Sequence, residues 1–162
     1  MNPASAVLEL LRCRDGSLWV GTTDGIEIHT PDGGSRFLTS AAGYPLRVIT
    51  GLAEDTDGNV WVSSGFAFTG ALRYDGRRWR HFGSTHGLDE RPYHRIAQDR
   101  TGGLWFLGLE NGLSHERIPT QRSGVFRLEG SAFTVWGSDH EPLHENVYGF
   151  AEAPDGSYWF AT

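Results

Sequence analysis

The chain is predicted to be an all-β protein built from repeated four-stranded units, and three observations predict it. One phrase occurs four times: Asp15-Gly16-Ser17-Leu18-Trp19, Asp57-Gly58-Asn59-Val60-Trp61, Thr101-Gly102-Gly103-Leu104-Trp105 and Asp155-Gly156-Ser157-Tyr158-Trp159. Its tryptophans stand 42, 44 and 54 residues apart. Recurrence at such a period marks units that bury their apolar faces only by stacking on neighbours. Finally, 22 glycines, 6 tryptophans and 9 phenylalanines in 162 residues describe short strands, tight turns and aromatic packing.

Aligned on the tryptophans, every unit has one grammar. A first strand comes before the phrase: Val7–Arg12, Val48–Glu54, Tyr93–Gln98 and Val147–Glu152. A tight turn follows, where glycine supplies positive φ and aspartate bonds its own backbone two residues on. The second strand carries the tryptophan: Leu18–Thr22, Val60–Ser63, Leu104–Leu107 and Tyr158–Thr162. Third strands are predicted at Ile26–His29, Ala71–Tyr74 and Val125–Leu128. After a further turn, fourth strands are predicted at Arg36–Thr39, Arg77–Phe82 and Ala132–Trp136. The segment 71–84 lies over 125–138 at an offset of 54, so the extra residues of the third unit fall between Trp105 and Val125.

Four strands per unit of about 42 residues is the pattern of a β-propeller blade. A helical solenoid would show a 3.6-residue period instead. The blades are expected at about 6–46, 47–91 and 92–145, with half a blade at 146–162. About three and a half blades make an open arc, an incomplete ring, so the chain is expected to be a segment of a larger propeller. Its partners would include the remaining blades, and its open ends would present bare strand edges.

Charge and composition exclude several classes. The formal charge is −6, which speaks against a phosphate-tracking surface, since that needs clustered Lys and Arg, and against nucleic acid as a partner. No apolar run approaches the roughly 20 residues of a membrane span, so no membrane contact is expected in this segment. Neither does a basic stretch followed by an apolar one open the chain as in a signal peptide. Cys13 is the lone cysteine, and a packed or half-exposed thiol is its expected state.

In the propeller pattern, the first-to-second and third-to-fourth turns share one face and are uniformly short. The other connections share the opposite face and are long. They hold His86, Asp89, Glu90, Arg91, Glu110, His115, Glu116, Arg117, His140, Glu141, His144 and Glu145. Binding residues concentrate on long loops over rigid scaffolds. Where these loops re-enter the axis, Arg47, Arg91, Tyr93, His94, Asn146 and Tyr148 are expected to form a ligand site. Guanidinium and aromatic groups together suit hydroxyl-rich or acidic ligands.

Blander readings compete with sharper ones. Trp19, Trp61, Trp105 and Trp159 are expected as inter-blade core rather than as sugar platforms. His140 and His144 are four apart, but Pro142 and the loop context remove the helix that would aim both at one metal, so no metal and no cofactor is expected. Catalytic convergence is not legible, no nucleophile elbow occurs, and no catalytic residue is assigned. Asp55 and Asp99, two residues before their turns, are expected to cap turn backbone; Cys13 and Ala153 replace them in the other units.

Residues 49–62 (ITGLAEDTDGNVWV), Leu72–Gly76 (LRYDG) and His86-Gly87-Leu88 resemble the two-component regulator propeller repeat, as do Trp19–Thr22 and Asp24-Gly25-Ile26. Trp61-Val-Ser-Ser64 departs from its usual Gly-Thr. The resemblance implies a β-propeller sensor region of bacterial hybrid two-component regulators, periplasmic or extracellular, responsive to carbohydrate fragments or another small ligand or partner, and not an enzyme. Asp155–Phe160 also looks like the repeats of virginiamycin B lyase-like propellers, metal-dependent enzymes, although Ala161-Thr162 replaces their usual Thr-Glu. A protein-binding propeller scaffold is the third alternative. Fold alone separates none of these.

Overall fold

The computed structural model describes residues 5–108, 125–136 and 146–162. Its strands are β1 (Val7–Arg12), β2 (Leu18–Thr22), β3 (Ile26–His29), β4 (Ser35–Leu38), β5 (Ser40–Ala41), β6 (Tyr44–Pro45), β7 (Ile49–Glu54), β8 (Val60–Ser64), β9 (Ala71–Tyr74) and β10 (Trp79–Phe82). They continue as β11 (Tyr93–Gln98), β12 (Leu104–Gly108), β13 (Val125–Glu129), β14 (Ala132–Trp136), β15 (Gly149–Glu152) and β16 (Tyr158–Ala161). A single 3-10 turn at Ser84–His86 is the helical content among the described residues.

Three antiparallel four-stranded sheets run β1-β2-β3-β4, β7-β8-β9-β10 and β11-β12-β13-β14, and β15-β16 form a two-stranded sheet. These are consecutive meanders, as the repeat predicts, and the described strands close no ring. The first strands of neighbouring sheets lie together, β1 by β7 and β7 by β11, forming the inner edge of the arc. A small hairpin, β5–β6, interrupts the connection read as a plain loop. Its central residues Ala42 and Gly43 both have positive φ, 49° and 84°. That is the twist a two-residue hairpin needs, built without the Asn-Gly or Asp-Gly that would announce it.

The core is partitioned between sheets. Trp19, Ile26 and Ile28 of the first sheet pack with Ile49, Leu52, Val60, Val62 and Leu72 of the second. Trp61 and Ala71 pack with Tyr93, Ile96, Phe106 and Phe126 of the third. Trp105, Leu107 and Val125 pack with Val147, Phe150, Tyr158 and Phe160 of the fourth. Each tryptophan is thus a wedge across a junction: Trp61 meets Phe106 and Phe133 edge-on at 5.6 and 5.9 Å, and Trp105 stacks on Phe150 at 5.1 Å. At 25 cal/mol per Å², one such ring contributes about 4–6 kcal/mol of gross burial. Trp159 differs from its three counterparts. It is 67% exposed, because no described sheet packs on its face.

Sequence departures in the repeat are compensated locally. Gly21 allows β2 to approach the second sheet, since a Cβ there would lie 2.8 Å from the Ile49 carbonyl oxygen. Ser63 occupies the equivalent place in the second sheet. Its strand partner is Gly51, where a Cβ would lie 2.2 Å from Ser63 Oγ. The missing side chain has moved across the ladder.

The tryptophan indoles are anchored in two ways. Asp55 and Asp99 cap their turns and also accept the indole N–H, from Trp61 at 2.8 Å and Trp105 at 2.9 Å. Where Cys13 and Ala153 stand instead, the turn's own aspartate binds a serine that accepts the indole. Asp15 holds Ser17 Oγ at 2.7 Å and Ser17 accepts Trp19 at 3.2 Å, with Asp155, Ser157 and Trp159 repeating those distances. Junctions are clasped by arginines. The Arg14 amide donates to Glu54 Oε2 at 2.9 Å and its guanidinium reaches Thr56 O and Asp55 O. Arg100 repeats this with Glu152 and the Pro154 carbonyl.

Candidate functional site

The long-loop end of the arc is shaped by a bulge repeated in every complete sheet. Register shifts fall between Val7 and Glu9, Ile49 and Gly51, and Tyr93 and Arg95. The extra residues are Leu8, Thr50 and His94, and the next unit places Tyr148 at the same repeat position. Bulges re-aim side chains at barrel rims and binding sites. Here they set one residue per blade at the mouth of the inner edge.

At the junction of the second and third sheets this produces a compact constellation. Gly65 follows β8 beside it, and a Cβ there would lie 3.3 Å from Thr50 Oγ1 and 3.6 Å from His94 Cβ. His94 Nε2 meets the Tyr148 carbonyl at 3.3 Å, and the two rings lie 6.1 Å apart. Thr50 Oγ1 and His94 Nδ1 are buried without a hydrogen-bond partner. Burial pushes the His94 imidazole below its ordinary pKa, against the upward pull of its contact with the Tyr148 carbonyl. A buried polar atom without a partner costs about 1–3 kcal/mol, so this junction is held at some cost in polar satisfaction.

The rim is ordered by Ser64, a residue the sequence reading passed over. Its hydroxyl donates to the Arg47 carbonyl at 2.9 Å and accepts the amides of Phe66 and Ala67 at 3.1 and 2.7 Å. Thr22 closes the corresponding loop of the first sheet through Asp24 and Gly25. Phe66 is left 72% exposed and Tyr148 58%. Arg47 is exposed and precedes Val48, whose φ is +49°. A β-branched residue there is strained by roughly 1–3 kcal/mol. The Val48 amide is held by the Thr23 carbonyl at 3.1 Å.

The expected site residues therefore divide. Arg47, His94 and Tyr148 lie at the mouth, and Asn146 is half-buried two residues before Tyr148. Tyr93 is fully buried between Phe106 and Phe126, its hydroxyl donating to Asp89 O at 3.3 Å. It is the strand position before the bulge, which faces the preceding sheet. Arg91 is also buried, paired with Asp89 at 3.1 Å and lying over Phe126. It fills the space left by Gly108, where a Cβ would lie 2.6 Å from Arg91 Cδ. Glu90 is committed to Ser84 and Thr69, and hydrogen bonding by the Ser84 amide holds its carboxyl below the usual range. His86 contacts Arg80. Glu110, His115, Glu116, Arg117, His140, Glu141, His144 and Glu145 lie outside the described residues. Among the described residues no three His, Cys, Asp or Glu side chains gather as a metal site, and no helix is long and apolar enough to cross a membrane.

A second concavity, about 400 Å³, lies at the opposite, tight-turn end of the first strands, among Leu11, Arg12, Leu52, Ile96 and Gln98. No sequence signal marked it, because it combines the ends of three strands some 40 residues apart.

Residues 43–66 match the family model described as two component regulator propeller. No curated protein sequence matches the chain. Among solved structures it is similar to the extracellular domain of the B. thetaiotaomicron hybrid two component system BT3049, at 14% identity and a TM-score of 0.75 over 98% of this chain and 20% of that one. The extracellular domain of BT4673 from the same organism gives 16% identity and a TM-score of 0.70, over 96% and 21%. Virginiamycin B lyase from Staphylococcus aureus gives 18% and 0.66, over 98% and 50%. The chain thus spans about a fifth of the length of the two B. thetaiotaomicron domains. At these identities the likeness shows the fold. Together with the match over residues 43–66, it shows a β-propeller segment that carries one repeat of the two component regulator propeller type.

Proposed function

We propose that this segment is a non-catalytic, extracytoplasmic sensing surface that takes a hydroxyl-rich ligand, such as an oligosaccharide, at the long-loop mouth. One observation carries this reading: Tyr148, Phe66 and Arg47 are exposed at a mouth flanked by Thr50 and His94, which both stand beside Gly65. Sugar rings stack on such aromatics, and sugar hydroxyls or carboxylates pair with such a guanidinium. The extracellular placement of the two B. thetaiotaomicron domains supports an extracytoplasmic setting.

The test is a glycan array of neutral and acidic oligosaccharides probed with the chain and its Thr50→Val, Tyr148→Ala and Arg47→Ala variants. The expected result is selective binding that Tyr148→Ala weakens by about tenfold or more, the worth of one stacking aromatic. Binding indifferent to all three substitutions would overturn the assignment of the mouth.

A further inference from the structure

We infer that the tight-turn end of the inner edge is a second ligand site, selective for a small carboxylate with an apolar body. Positions in one first strand separate the two ends: Thr50 belongs to the mouth and Glu54 to this cavity, four residues or about 13 Å apart. Nothing in the mouth reading requires this site, and it stands without that reading.

The floor is apolar because the fourth and fifth positions of the first strands meet there. Leu11, Leu52, Ala53 and Ile96 line it. The rim is polar, and nearly every polar group on it is committed. The Glu54 carboxylate is held by the Arg14 amide at 2.9 Å and by Arg14 Nε at 3.2 Å. The Glu54 carbonyl accepts Gln98 Nε2 at 3.1 Å. The Thr56 carbonyl accepts Arg14 Nη1 at 3.1 Å, and the Asp55 carbonyl accepts Nη2. The Asp55 carboxylate is turned to Asn59 and Trp61. Arg12 remains. It is exposed on the cavity rim and makes no hydrogen bond or ion pair among the described residues.

A cavity of about 400 Å³ falls in the range of small-molecule sites. Its chemistry is one uncommitted guanidinium above a hydrocarbon floor, with the acid on the rim already neutralised by Arg14. A planar guanidinium binds a carboxylate through two parallel hydrogen bonds, and the floor covers the ligand's apolar part. A neutral ligand of the same shape would gain the floor and lose the fork.

The probe is 4-phenylbutyrate, titrated into the 162-residue chain and followed by calorimetry and by amide NMR shifts, with 4-phenylbutan-1-ol as the neutral counterpart. The expected result is saturable binding of the acid, with the alcohol and the Arg12→Gln variant each weaker by about tenfold or more, as loss of a charge-assisted hydrogen bond implies. Arg12→Lys, which keeps the charge without the fork, should fall between. Shifts should map to residues 11–14, 52–56 and 96–98, and Tyr148→Ala should bind the acid normally. Equal affinity for acid and alcohol, unchanged binding by Arg12→Gln, or no saturable binding overturns the inference. Loss in Tyr148→Ala with Arg12→Gln unaffected would move the site to the mouth.

Discussion

Replacing Asp99 by asparagine should cost about 3 kcal/mol at neutral pH, and that cost should shrink in acid. The Asp99 carboxylate is fully buried and accepts the Thr101 and Gly103 amides, Thr101 Oγ1, Trp105 Nε1, and Nε and Nη2 of Arg127, all at 2.7–2.9 Å. Burial alone would raise its pKa. The hydrogen bonds from Thr101, Trp105, Arg127 and Gly103 outweigh burial and hold it at about 2, below the ordinary 3.8. Asparagine turns an amide donor toward donors and leaves Arg127 with the exposed Glu129, at 2.9 Å, as its remaining carboxylate, beside Thr101 Oγ1. Removing one partner of a buried pair costs about 3–5 kcal/mol, and the surviving Glu129 contact places this case at the low end. A carboxyl depressed in the folded state contributes stability above its unfolded pKa and loses it as pH falls through the folded value. From 3.8 to about 2, that contribution is about 2.5 kcal/mol, most of it gone by about pH 2. Urea unfolding followed by tryptophan fluorescence, at steps from about pH 6 to pH 2, measures both proteins. The gap between wild type and Asp99→Asn should narrow by about 2 kcal/mol across that window. A constant gap would refute the reasoning, since Asp99 would then not be holding an ionised, multiply bonded carboxylate.

Two other perturbations test the frame of the sites. Cys13 is buried and its thiol is pushed up to about 11, chiefly by burial, so a disulfide reagent at pH 8 should label it only on unfolding; labelling at the rate of an exposed thiol contradicts its place in the core. Val48→Asn relieves a left-handed backbone that asparagine tolerates, and should raise stability by about 1 kcal/mol in urea unfolding; a loss of stability would mean that Val48 packing outweighs the strain.

Strand order was legible because the physics behind it is local and repeated. Gly16, Gly58, Gly102 and Gly156 all have φ near 86–88°, the conformation a glycine turn requires, and four copies of one turn fix where the first and second strands of each unit meet. The capping role of Asp55 and Asp99 was legible for the same reason, a side chain two residues from the backbone it binds. Their bonds to Trp61 and Trp105 were not, since they depend on where a strand six residues later lays its ring. The mouth was half legible. Spacing located Arg47, His94 and Tyr148 at the inner edge, but a bulge of one residue decides whether a side chain faces the axis or the preceding sheet. Tyr93 and His94 are neighbours in sequence and fall on opposite sides of that decision.

Because Leu8, Thr50, His94 and Tyr148 occupy one repeat position, this fold separates junction packing from the lining of the mouth by register alone. The residue before the bulge, Val7, Ile49, Tyr93 or Val147, is apolar or aromatic in every unit, and the last three are buried in a junction. The bulge residue carries no such constraint: aliphatic, hydroxyl, imidazole and phenol all occur there. On the proposed function, the mouth can therefore be changed by substitution at one position per blade while the junction tryptophans Trp19, Trp61 and Trp105 stay fixed. Exchanging Thr50 and His94 should accordingly leave stability within about 1 kcal/mol while altering what the mouth binds, whereas exchanging Ile49 and Tyr93, one residue earlier, should unfold two junctions at once. Equal stability losses for the two exchanges in urea would show that the bulge does not separate the roles.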